Sequence, residues 1–312
     1  MTRVLSAVIA LTLLLITLFL FNTEVPAGDL GLCLPSPNTW ALPKPFGWLI
    51  GIILLFLAAI IVTETNKKYN FIPDSRSIIP SALLLLVACN CLSTYTLSTS
   101  TIILFINTLC LLIILSTYDE RNATREFFTI ASLLSIGSMF QYAFLVFVPA
   151  YILGGIALKS FRIKEFAAFI FGLIAPYWTA VGLGIISPAD FQLPESFTVI
   201  NAREVEDDIF YSLLSMGIMA LIGMILALYN GVHLFSRNSR LRCMHLTINL
   251  LGVVALLASI FNFENFLAYF ATIALWVSLE VASLVSFYEL RHPRVAIAML
   301  LLVFLPLYIL AM

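Results

Sequence analysis

Apolar residues run through this chain in long blocks broken by short polar interludes. The blocks lie near residues 4–21, 46–63, 78–97, 101–117, 127–158, 166–186, 209–232, 244–262, 266–288 and 295–312. Each is long enough to cross a bilayer as a helix, and the alternation of a barrel strand is absent. Lipid cannot satisfy free backbone groups, so helices are the structure such blocks adopt. The pattern predicts an all-α, polytopic transmembrane bundle of about 10–11 helices. Residues 4–21 follow Arg3 and read as a retained first span, longer than the apolar region of a secretion signal.

The block at 127–158 is ambiguous. It has no charge in 32 positions, between the length of one span and that of two. Lys and Arg decide it, because short cytoplasmic loops retain them. If the block crosses and returns, fourteen of the sixteen basic residues share one side, and only Lys44 and Arg203 face the other. If it crosses once, the split is seven against nine. The charge pattern therefore predicts a hairpin of two short helices near 127–140 and 143–158, turning near Gly137, Ser138, Gln141 and Tyr142, either with its apex below the outer surface or as two thin but complete spans in a locally thinned bilayer. It places the N-terminus in the cytoplasm and the C-terminus outside a bacterial-type inner membrane.

Composition narrows the functional classes. Of 312 residues, 62% are hydrophobic and 11% charged, far below the quarter that is charged in a soluble domain. No polar stretch is long enough to bury a core of its own, so residues 1–312 form a single integral-membrane domain. A net charge of −1 gives no basic footprint for nucleic acid. The inner loops carry seven acids among their fourteen basic residues and suit anionic membrane lipids; the outer loops carry nine acids and two basic residues. The five cysteines fit small buried hydrophobes, and His233, His245 and His292 read as interfacial side chains beside arginines.

Three places could carry chemistry. The first outer loop, NTEVPAGDLGLCLPSPNTWALPKP at 22–45, holds Glu24 and Asp29 on a path stiffened by proline. The acidic segment NAREVEDD at 201–208 could bind a divalent cation through Asp207 and Asp208, or it could cap the N-terminus of the helix that follows. Glu280, in LWVSLEVASL, is the only acid inside an apolar block. Carboxylates inside a membrane are costly and mark proton or cation sites by default. The structural alternatives are a protonated or hydrogen-bonded Glu280, satisfied by Ser283 or by a group on another helix, or a span that ends earlier. Gln141, at the hairpin apex, is a second residue that could line a transport path. The spacing of Gly47 and Gly51 predicts close helix packing.

The stretch IIVTETNKKYNFIPDSRSIIPSALLLLVAC, with STYDERNATREFFTIASLLSIGSMFQYAFLVFVPAYILGGI, resembles an uncharacterised family of bacterial polytopic inner-membrane proteins, a domain of unknown function. The likeness covers most of residues 50–190 and implies no established activity. The outline is also similar to membrane glycosyltransferases that use polyprenyl-phosphate-linked sugars. That resemblance implies an enzyme or assembly factor for cell-envelope glycans, with Asp29 or Glu24 as the catalytic acid group. The first loop is shorter than in those enzymes, and no adjacent Asp-x-Asp pair is present. A transporter or flippase using Glu280 and Gln141, and a non-catalytic scaffold, are the alternative expectations.

Overall fold

The computed structural model describes residues 2–20, 32–37, 40, 42–72, 78–94, 97–191, 207–234, 238–262, 265–287 and 293–310. Among these residues eleven helices of ten residues or more follow one another: α1 (Thr2–Leu20), α2 (Lys44–Tyr69), α3 (Ile78–Ala88), α5 (Thr99–Ser116), α6 (Thr124–Phe140), α7 (Val148–Ala157), α8 (Ile163–Gly182), α9 (Asp207–Leu234), α10 (Ser239–Phe261), α11 (Phe266–Phe287) and α12 (Pro293–Leu310). A one-turn helix, α4 (Cys91–Thr94), sits between α3 and α5. No strand occurs among the described residues. Among the described residues six helices are long and apolar enough to cross a membrane by length and composition, and the protein is a multi-pass, all-α bundle.

The uncharged block makes the U-turn. Phe127, in the first turns of α6, packs on Gly155 near the end of α7; a Cβ at Gly155 would lie 2.5 Å from the Phe127 ring. Had the block crossed once, these two residues would stand at opposite ends of the bundle. At the apex, Gly137 leaves room for Phe144, whose ring would lie 2.6 Å from an added Cβ. Between them the chain runs as a 3₁₀ helix, Tyr142–Phe147, into α7. Pro149 in the first turn of α7 offers no N–H to the carbonyl four residues back, which suits the tighter turn before it. α6 is about 25 Å long, and the return limb, with its stretched 3₁₀ portion, about 27 Å. α6 starts three residues before the expected 127–140, the return limb matches the length of the expected 143–158, and both come close to the roughly 30 Å hydrocarbon thickness.

The turn fixes which loops share an end. Thr117 and Ser160 hydroxyls lie 2.9 Å apart, the Asp119 N–H donates to the Leu158 carbonyl, and the Arg240 guanidinium lies over the Tyr118 ring. Arg121, Arg125, Lys159, Arg162, Lys164, Arg240 and Arg242 thus gather at one end, hereafter the basic end. The opposite end gathers the first loop and the hairpin apex: the Leu34 N–H donates to the Met139 carbonyl at 2.9 Å.

The helix α11 is the axis. In its most apolar window 83% of residues are buried, against 22% for α8 at the rim. α11 packs on α3, α5, α9 and α10, whereas α8 packs chiefly on α6. α8 reaches α6 through Gly172, which lies against the Phe128 carbonyl, and through Ser132 and Ser135, which donate to the Gly172 and Leu173 carbonyls. Gly47 meets the backbone of Leu97, in the turn just before α5 and not on a facing helix.

Candidate functional site

One seam between α9, α10 and α11 carries two layers of side chains. On α11, Trp276 and Glu280 are one turn apart and share a face. On α9, Gly223 and Asn230 are seven residues apart; on α10, His245, Asn249 and Gly252 follow at four and three. These spacings put each set on one stripe of its helix.

The layer nearer the middle holds Trp276. Its indole lies against both Gly223 and Gly252, where an added Cβ would overlap the ring, and its Nε1–H donates to Asn249 Oδ1 at 2.8 Å.

The layer toward the basic end holds Glu280, which is fully buried. Asn230 Nδ2 donates to Glu280 Oε2 at 2.6 Å and to the Glu280 backbone carbonyl at 3.0 Å. Both partners are acceptors, so the orientation of the Asn230 amide is fixed. His245 is buried too. Its Nε2 lies 3.2 Å from the Phe71 carbonyl, and its Nδ1 lies 3.9 Å from Glu280 Oε1. A carbonyl only accepts, so Nε2 carries the hydrogen and a neutral ring presents a bare Nδ1 lone pair to Glu280. Glu280 Oε1, His245 Nδ1 and Asn230 Oδ1 have no hydrogen-bond partner among the described residues. Three acceptors without a donor, around one buried carboxylate, are a strong departure from the pairing of buried polar groups.

The site is roofed by the turn between α2 and α3. Asn66, near the end of α2, binds Ile72 twice, accepting its N–H at 2.8 Å and donating to its carbonyl at 3.1 Å. Asn70 adopts the left-handed conformation, φ 49°, that ends α2. Phe71 and Ile72 are thereby buried over the end of the seam, with the Phe71 carbonyl aimed at His245.

Glu280 lies seven residues from the end of α11, about 10 Å inside the helix. The Ser283 hydroxyl donates to the Leu279 carbonyl, so it is not the partner of Glu280. His245 does not sit at the interface with the arginines; the turn at 70–72 encloses it. Gln141 is buried at the opposite end, where the Ser36 hydroxyl donates to its Oε1 at 3.1 Å. Gln141 and Glu280 do not meet. Tyr142, next to Gln141, connects through Asn265 and Asn262 to Tyr269 on α11, about 16 Å along the helix from Glu280. Between them lie Thr272, bonded to Asn107, and Trp276.

Glu24 and Asp29 lie outside the described residues. Asp207 and Asp208 form the first turn of α9, the place favoured by the helix dipole. Among the described residues no three His, Cys, Asp or Glu side chains are grouped to hold a metal.

No family model, curated protein or solved structure matches this chain. The site therefore has to be read from its own chemistry.

A thiol at the opposite end offers a check on the packing. Burial and the Asp190 carboxylate push the Cys33 thiol above its ordinary range. Less thiolate is present at neutral pH, so Cys33 is expected to react slowly with N-ethylmaleimide. Asp190→Asn removes one of the two causes and keeps an oxygen to accept the Ser187 N–H, so labelling should accelerate severalfold by peptide mass spectrometry. Equal rates would separate the first loop from the end of α8.

Proposed function

We propose that this chain is a proton-coupled membrane transporter in which Glu280 takes up and releases the proton. The reading rests on the three unpartnered acceptors around Glu280, His245 and Asn230. A proton is the smallest ligand that resolves two of them: placed on Glu280 Oε1, it turns the 3.9 Å approach to His245 Nδ1 into a donor–acceptor pair, leaving Asn230 Oδ1 as the remaining acceptor. If the proton passes on to Nδ1, an imidazolium faces a carboxylate; such charge-assisted bonds close to about 2.7–2.9 Å, which draws the two side chains, and with them α10 and α11, together by up to about 1 Å. The other ring nitrogen of His245 holds the Phe71 carbonyl, so the same shift pulls on the turn covering the basic end. Binding and gating then share one set of atoms, as coupled transport requires. The Trp276 layer lies immediately beyond, between the proton site and the opposite end, and closes the seam there.

The glycan-enzyme reading depends on Asp29 and Glu24, and no described residue adds support to it. The scaffold reading gives no reason to keep a carboxylate among unpartnered acceptors.

The test needs no prior substrate. Proteoliposomes holding wild-type or Glu280→Gln protein are bathed in a cell extract under an imposed pH gradient, and their contents are compared by untargeted mass spectrometry. At least one compound should accumulate in wild-type vesicles, and its accumulation should vanish in the variant or when a protonophore collapses the gradient. Identical contents in all three would remove the proposal.

A further inference from the structure

A second feature stands apart from the proton site. α6 and α8 run parallel, both starting at the basic end, and a groove of about 720 Å³ opens between their first turns toward the outside of the bundle. Thr124, Arg125 and Lys164 form its polar rim, and Phe128, Ala167, Ala168 and Phe171 its wall. The wall continues along α8 as exposed apolar surface: Phe171 is 67% and Trp178 78% accessible. In water such a face would be a liability; in a bilayer it is where an acyl chain lies.

The rim is electropositive. Arg125 and Lys164 are exposed, and neither forms an ion pair among the described residues. Each sits in the first turn of its helix, and neither helix has a side-chain cap. The backbone N–H groups at both helix starts add to the attraction for an anion. The nearby Glu165 does not line the groove: it is buried, and its Oε1 accepts the Thr124 hydroxyl at 3.3 Å.

We infer that this groove is a binding site for an anionic phospholipid, with Arg125 and Lys164 on the headgroup phosphate and an acyl chain along Phe128 and Phe171. Charge and apolar surface meet here in the order that a lipid presents them, phosphate at the rim and chain in the wall. Free phosphate would use the rim and leave the wall empty.

Native mass spectrometry of the full chain, released from detergent carrying phosphatidylglycerol or phosphatidylcholine, tests this. The wild type is expected to retain phosphatidylglycerol and not phosphatidylcholine, and excess inorganic phosphate should not displace the lipid. Arg125→Gln with Lys164→Gln should weaken phosphatidylglycerol retention about 30-fold, the effect of two basic contacts at a membrane surface. The control Lys67→Gln with Lys68→Gln, at the end of α2, should leave it unchanged. Equal retention of the two lipids, equal retention by the wild type and the rim variant, or displacement by phosphate would each overturn the assignment.

Discussion

Replacing Asn230 by leucine alone should destabilise the bundle by about 3 kcal/mol, and adding Glu280→Leu should restore wild-type stability or exceed it. The single change removes the one donor to Glu280 Oε2 among the described residues, 2.6 Å away, and leaves a buried carboxyl group with no partner among them on either oxygen. Stranding one member of a buried charged pair costs about 3–5 kcal/mol, and the lower value is the better guide where the partner is an amide. The double change takes the polar pair out as a unit and fills the space with apolar side chains. Such replacements are often neutral or stabilising by about 1–4 kcal/mol. Thermal unfolding in one detergent reads all three chains. The double variant should transport nothing. A double variant less stable than the single would make Glu280 an anchor of the fold, and the case for a working carboxylate would fail. Stability kept or gained while activity is lost is the signature of a group retained for function at the expense of stability.

The second large effect is expected one layer up. Gly252→Ala should lower stability by about 1–3 kcal/mol or more, the usual penalty for forcing atoms into a packed core. The new methyl would fall inside the Trp276 indole. The ring cannot retreat toward α9, because Gly223 is in contact on that side, and Asn249 holds its nitrogen. Gly182→Ala is the matched control: nothing lies within 4 Å of an added Cβ there, so the same helix-favouring change is nearly neutral. Comparable melting temperatures for the two variants would show that α9, α10 and α11 are not clamped at this layer.

Much of the architecture was legible because membrane helices obey few rules. Apolar blocks gave most of the helices, although the block at 78–97 breaks at Cys89 and Asn90 into the eleven-residue α3 and the one-turn α4, and the distribution of Lys and Arg chose the hairpin that Phe127 and Gly155 display. The charge rule was needed because the block at 127–158 contains no breaker strong enough to announce a turn; Gly137 and Gln141 mark it only once Phe144 folds over the glycine. Glu280 stood out because it is an acid in an apolar run. Its partners did not. His245 lies three residues from Arg242, and that neighbourhood reads as an interface until the turn at 70–72 is seen to cover it. Asn230 has no local mark at all. The signal available was the seven-residue recurrence of small and polar residues on two helices, Gly223 with Asn230 and His245 with Gly252. Recognising it requires knowing that α9 and α10 flank α11, which single-chain periodicity does not encode.

The first and last of the eleven long helices are joined by a small polar knot. Tyr308 donates to the Leu13 carbonyl at 2.8 Å, and its oxygen lies 2.9 Å from the Thr17 hydroxyl, which donates to that same carbonyl. During synthesis α1 enters the lipid nearly three hundred residues before its counterpart exists. α1 must therefore wait, docked against α3, until α12 is made. Chains interrupted before Tyr308 should present an unsealed flank to the quality-control proteases of their membrane.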